Sequence, residues 1–455
     1  MILAPTLLLN AGSGAAIVRP TFSRDFAGEK TLNNGTGPSI TFTRASDATY
    51  FDANGTLQTA TSDTPRFDHD PATGASRGLL IEEARTNSIR NSQGGGAVAG
   101  TPGTLPTNWG ASGTTVNGVA IDVAATGTED GLAYVDLKFS GTPTASSSAF
   151  LTFDTGTQIV AANGQTWTGS AYVKLQGGAL TNVTQVRTFT GGRTSAGASI
   201  AGQAQSTNFT PDSSALKLQR RTATLTMSDA TVERAQNGVA FSYTNGSEIG
   251  GSADGFTLRI AAPQLEQGAF ATSYIPTTTA AVTRSADSAV VTPISSFYNQ
   301  SQGSVLTEHT QLAAITSGAA DKFAWVSSFS DGSFDSVLGS YSQLTSTTSG
   351  LGARAKVVNE NSVTIAEAGF STALSAATVI KFTYGYATDD IATFRNGLVG
   401  ETDTDADLGD LQPLDQMGIG CLHYAVTGEF LNGHIRRIAY FPKRLSNALL
   451  QSLTT

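Results

Sequence analysis

Residues 256–287 read FTLRIAAPQLEQGAFATSYIPTTTAAVTRSAD, and the fold follows from how this stretch is divided. Phe256, Leu258 and Ile260 alternate onto one face, the period-2 pattern of a half-buried strand. Pro263 has no N–H for a ladder and is expected to end the pairing. After Tyr274-Ile275-Pro276 come three threonines and two alanines without a core pattern, an extended connector. One closed β unit is therefore expected before this stretch and another after it.

Working outward, 455 residues exceed one core and imply two to four units of about 100–200 residues. With 49 glycines, 14 % charged residues and no long Glu/Lys/Leu-rich amphipathic run, the composition favours all-β sandwiches joined by turns. The 39 % hydrophobic content is enough for packed cores. A net charge of −9, with no basic run longer than Arg220-Arg221 or Arg436-Arg437, excludes the electrostatic footprint of a nucleic-acid binder. Cys421 is the only cysteine, which leaves no intrachain disulfide and no thiolate cluster. The apolar N-terminus lacks a preceding Lys or Arg and is broken by Pro5, so neither a signal peptide nor a membrane insertion is expected.

Four segments result. Residues 1–87 carry short strand candidates, an Asn54-Gly55 hairpin turn and a 70–74 turn before Leu79-Leu80-Ile81. They are poor in periodic apolar residues and are expected to gain order only from a partner or the middle unit. Residues 88–276 hold seven strand candidates, with a bulge or corner expected at Arg220-Arg221. Residues 277–303 read as a linker. Residues 304–455 form a second sandwich with a tight turn at Asn396-Gly397 and a terminal helix capped by Ser446, where Leu445 and Leu450 have staple spacing. Thr43-Arg44 and Asp47 recur as Thr283-Arg284 and Asp287, which suggests two equivalent edge or linker strands flanking the middle unit.

Catalytic motifs are thin. Gly74-Ala75-Ser76-Arg77-Gly78 has the form of a nucleophile elbow, but a proline turn precedes it and a strand-like run follows it. Glu82 and Glu83 point to opposite faces of a strand, which makes no acid/base pair. His69 between Asp68 and Asp70 reads as a solvated turn, and His423 and His434 lie on neighbouring strand candidates. Asp403, Asp405 and Asp407 alternate but have Leu408 and Leu414 where a calcium loop needs Gly and Glu. No cofactor, metal or catalytic residue is expected. Sugar binding needs aromatic faces and planar polar groups. Trp109, flanked by Pro106 and Gly110, is the best candidate for an exposed ring. Tyr134 and Asp136 of the same unit are also placed near loop or strand ends, and Trp325 lies beside Asp331 in the last one. Trp167 and Tyr172, inside the clearest strand, read as core.

Three stretches carry a resemblance. FTRASDATYFDANGTLQTATSDTPRFDHDPATGASRGLLIEEARTN resembles an N-terminal block of tailed-phage virion proteins, and PQLEQGAFATSYIPT with TRSAD resembles the closing segment of their carbohydrate-binding-like jelly rolls. LNGHIRRIAYFPKRLSNALLQSLT is similar to the end of their laminin-G/concanavalin-like sandwiches. The resemblance implies a virion structural protein, a head or tail fibre, spike or decoration subunit. It would have an N-terminal β-rich anchoring segment (1–87), followed by two antiparallel jelly-roll-like sandwiches that contact host-surface polysaccharide. It further implies other virion proteins as partners and a homo-oligomer. A purely architectural capsid or tail protein, or a polysaccharide-depolymerising tailspike, are the alternatives.

Overall fold

The computed structural model describes residues 18–114, 117–312, 322–331, 336–345, 353–359, 361, 363–370, 378–422 and 429–455. Its regular structure is almost wholly β, in antiparallel ladders, with only short helical turns beside them.

The middle sandwich stands as one closed unit. One sheet has five strands in the order Arg220–Thr226, Thr166–Gly178, Phe256–Gln267, Leu132–Ser140, Ala120–Glu129. Facing it, a six-stranded sheet runs Ser199–Phe209, Val183–Arg193, Arg234–Tyr243, Ser147–Thr152, Gly110–Ser112, with Ile159–Val160 beside Arg234–Tyr243. Alternate residues from both fill one core: Val135, Leu137, Leu258 and Ile260 from the first, Leu151, Val186 and Val239 from the second. Phe139 meets Phe241 across that core edge-on at 4.7 Å, an arrangement the ring quadrupole favours.

The second sandwich corrects the expected boundaries, because it is built from both ends of the chain. Its eight-stranded sheet runs Leu398–Asp403, Asp390–Arg395, Ile380–Ala387, Gln302–Gln311, Gly433–Phe441, Ser76–Ile81, Phe67–His69, and Phe22–Asp25 also pairs with Gly433–Phe441. The seven-stranded partner runs Thr41–Thr43, Ser288–Val291, Gln416–Ile419, Lys322–Ser330, Val337–Thr345, Ala353–Val358, Thr364–Gly369. Residues 1–87 are therefore not a separate anchoring unit in their described part. Without them Gly433–Phe441 would lose the partners of one edge, and Phe22, Phe26, Leu79 and Ile81, all fully buried, would leave the core they share with Ile435 and Tyr440. Nor are residues 277–303 a linker. Val282–Arg284 pairs with Arg85–Asn87, Ser288–Val291 pairs with Thr41–Thr43, and Ile294 and Phe297 are core. The middle sandwich is thus an insertion between two halves of another.

Local departures have local causes. Pro263 does not end its strand, which continues to Gln267. The ladder to Thr166–Gly178 shifts register between Ser170 and Tyr172, and Ala262 takes φ +48 there, so the proline sits in a bulge that asks for no donor. At Leu216–Leu218 a 3-10 turn precedes the strand Arg220–Thr226, in place of the expected bulge or corner. Asn396 and Gly397 have φ 48 and 79 and join Asp390–Arg395 to Leu398–Asp403, the two-residue turn their sequence specifies. Ser446 precedes the helix Asn447–Ser452 without a side-chain cap bond, and Leu445 and Leu450 share one apolar cluster.

Candidate functional site

Where the inserted sandwich meets the other body, five charged side chains lie out of water together. Arg66 binds Glu82 (Nη1 to Oε2, 2.8 Å) and Asp287 (Nη2 to Oδ2, 2.5 Å). Arg44 donates to Asp287 Oδ1 at 3.1 Å and Arg284 to Glu82 Oε2 at 2.5 Å; no side chain of the five is more than 1 % exposed. Burial alone would push the Glu82 carboxyl up, but the Arg284 and Arg66 guanidiniums outweigh it and hold it well below the ordinary range. Ser273 completes the set, donating its N–H to Glu82 Oε1 at 2.8 Å. The echoed Thr-Arg pairs place both Arg44 and Arg284 here, whereas Asp47 is exposed and only Asp287 of the echoed aspartates takes part.

Beside this knot opens a cleft of about 850 Å³, within the range of small-ligand pockets. One wall is residues 83–86 and Ser88 with Thr283, Ala286 and Phe430; the other is residues 164–167 and 267–269 of the inserted sandwich. Glu82 and Glu83 do face opposite ways: Glu82 enters the knot, and Glu83 lines the cleft. Arg85 Nε donates to Glu83 Oε1 at 2.6 Å, its Nη1 donates to the Gln267 carbonyl, and its guanidinium lies 4.9 Å from the Phe270 ring centre. Gly268, at φ +146, is required below it, since a Cβ there would overlap the guanidinium. Gln165 Oε1 accepts from Trp167 Nε1 at 3.0 Å, and the Thr86 and Thr283 hydroxyls share a 2.7 Å bond across the rim. The cleft thus presents amides, hydroxyls and one closed ion pair around the small open edges of Trp167 and Phe430. Among the described residues that line it, no side chains are arranged as nucleophile and base.

The four residues singled out for sugar contact do not converge. Trp109 is a correction: it is 8 % exposed, packs edge-on against Phe153 at 4.9 Å and donates Nε1–H to Asn91 O at 2.9 Å. Asn108, at φ +73, turns the chain so that the indole enters the core. Trp325 is also buried, donating to Glu429 Oε2 at 3.1 Å and packed on Tyr341. Tyr134 and Asp136 do come together, through Arg259. Its guanidinium lies 3.5 Å from the Tyr134 ring centre and donates to both Asp136 oxygens at 2.8 Å. Glu129 and Lys174 close that group; both Asp136 oxygens are engaged by Arg259, which also covers one face of Tyr134. Trp167 and Tyr172 are buried, Trp167 at the cleft wall and Tyr172 under Phe51 and Leu57 of the hairpin Ala48–Phe51/Leu57–Ala60.

The remaining motifs resolve as follows. Ser76 opens the strand Ser76–Ile81, and among the described residues its buried hydroxyl has no hydrogen-bond partner, a base included. His69 is not in a solvated turn: it is buried, with Nδ1 3.1 Å from Phe51 O, because Phe67–His69 is a sheet strand. His434 lies 2.8 Å from Asp68, whereas His423 falls outside the described residues. The Asp403 and Asp407 carboxylates accept backbone N–H groups of Glu367, Asp405 and Gly409. Burial pushes the Cys421 thiol up to about 11. Among the described residues no helix is long and apolar enough to cross a membrane.

Nothing in spacing or residue type marked Gln165, Gln267 or Arg85 in the sequence, since the cleft exists only once the two bodies meet. No protein-family model and no curated protein matches the chain. Among solved structures it is similar to the CBM40 of the Ruminococcus gnavus IT-sialidase bound to α2,3-sialyllactose, at 14 % identity over 34 % of this chain and 84 % of that one, with TM-score 0.27. It is also similar to domain 4 of AbnA, a GH43 arabinanase of Geobacillus stearothermophilus in complex with arabinotriose, at 11 % identity over 41 % and 81 %, with TM-score 0.30.

Proposed function

We propose that the protein is a surface component of a phage or phage-like particle, a fibre, spike or decoration subunit, that holds host-surface polysaccharide in the cleft between its sandwiches. The observation that carries the glycan reading is the cleft's lining. Amide, hydroxyl and paired ionic groups suit sugar hydroxyls, and the indole and phenyl edges suit the apolar face of a ring. The virion reading is supported by the resemblance of residues 42–87, 262–287 and 433–453. The architectural alternative keeps one observation in its favour: Arg44, Arg66, Glu82, Arg284 and Asp287, which belong to the first two of those motifs, tie the segment before the inserted sandwich to the segment after it and face no solvent.

The test is binding of purified host-surface polysaccharides to the full chain and to two cleft variants. Gln267 is exposed on the wall and its side chain makes no hydrogen bond among the described residues. Gln267→Ala should weaken binding about two- to tenfold, as for one lost hydrogen bond of about 0.5–1.5 kcal/mol, with the melting temperature unchanged. Ala269→Trp should fill the cleft and abolish binding. Full binding by both variants would place the sugar elsewhere, no binding by the parent would favour the architectural reading, and cleavage of the polysaccharide would make it an enzyme.

A further inference from the structure

We propose that the strand Ser199–Phe209 is a subunit interface, where a second copy of this chain adds its own Ser199–Phe209 antiparallel across a two-fold axis. This strand is the outer edge of the six-stranded sheet and pairs only with Val183–Arg193. It is eleven residues long, SIAGQAQSTNF, and only Gln203 among them is buried. After the register break near Gly202, which has φ +74, residues 204–209 run in regular register with residues 186–191. Beyond that ladder, the one hydrogen bond to its backbone among the described residues comes from the Gln205 amide to Ser206 O, at 3.4 Å. An edge of this kind presents alternate N–H and C=O groups that only another strand satisfies in register.

Among the described residues every other sheet edge is guarded in one of the ways proteins use against pairing. Arg220–Thr226 begins with two arginines, and Ala120–Glu129 carries Asp122 and Glu129. Leu398–Asp403 carries Glu401 and Asp403, and those two carboxylates also cap the Gly369 and Glu367 N–H groups of the Thr364–Gly369 edge, at 3.2 and 3.1 Å. The remaining edges are four residues or shorter. Among the described edges Ser199–Phe209 alone is long, open and free of Lys, Arg, Asp, Glu and Pro. The occupant follows from charge. Copies of a chain with net charge −9 repel, so they approach best along a strand that brings no charge. Gln, Ser, Thr and Asn side chains also pair with their own kind across a ladder. A two-fold contact of like strands closes on itself and leaves no new edge at the seam.

The experiment is the mass of the full chain by sedimentation at micromolar to millimolar concentration, with and without the pair Gln205→Lys and Thr207→Lys. A dimer that the two lysines convert to monomer, with the circular dichroism unchanged, is expected. A chain monomeric throughout, or a dimer that survives both lysines, overturns the proposal. Should the double variant lose its fold, single cysteines placed through 204–209 carry the test, because Cys421 is buried and does not compete. Added oxidant should then link two chains at one or more of these positions, and the absence of any link overturns it.

Discussion

Glu82 shows what single residues do here. It is fully buried between two arginines, so removing its charge leaves both guanidiniums short of a partner, and breaking such a pair costs about 3–5 kcal/mol. Glu82→Gln should lower stability by that amount in denaturant unfolding at neutral pH. The pH dependence has a definite sign. Because the folded carboxyl lies well below its unfolded value of about 4.3, its contribution is complete above that value and is lost as pH falls towards the folded one. The parent should therefore lose stability below about pH 5, and Glu82→Gln should show a shallower loss over the same window. Trp109 makes the opposite point about reading. Pro and Gly around a tryptophan suggested an exposed loop, yet a positive φ at Asn108, invisible in composition, sends the ring inward. Trp109→Ala should cost about 3–5 kcal/mol and disrupt the inserted sandwich; unchanged stability would return the ring to the surface.

At the scale of elements, much was legible and some was not, for identifiable reasons. Alternation marked seven strands of the inserted sandwich but neither Ala120–Glu129 nor Ser199–Phe209, and Asn396-Gly397 marked a turn of the second sandwich, because such signals are local. Phe22–Asp25 and Ser76–Ile81 were missed as members of the last sandwich because their partner, Gly433–Phe441, lies more than 350 residues away in sequence. Short strands in a segment rich in Gly, Thr, Asp and Asn look unfoldable until such a partner is counted. Their removal therefore makes a clear prediction. A fragment of residues 88–455 should retain the inserted sandwich but expose the free edge of Gly433–Phe441 and part of its core. Thermal unfolding should lose the transition of the second sandwich, and dye binding to apolar surface should rise. A fragment with the full cooperative unfolding of the parent would show that the N-terminal strands are dispensable.

For the whole molecule, insertion, knot and cleft are one arrangement. The two passages between bodies, near residues 87 and 277, run beside the buried charges, and each wall of the cleft belongs to a different body. The cleft keeps its shape only while the junction holds. Its residues were illegible in the sequence for that reason, whereas the motif residues that drew attention turned out to build the junction. The most direct measurement is native-state hydrogen exchange of the full chain, comparing the amides of Ser76–Ile81 with those of Gly433–Phe441. Strands in one ladder open together, so both should exchange only through the same large unfolding event, and Glu82→Gln should accelerate both equally. Rapid exchange of Ser76–Ile81 while Gly433–Phe441 stays protected would contradict the account, because the N-terminal segment would then be an appendage and the cleft would lose a wall.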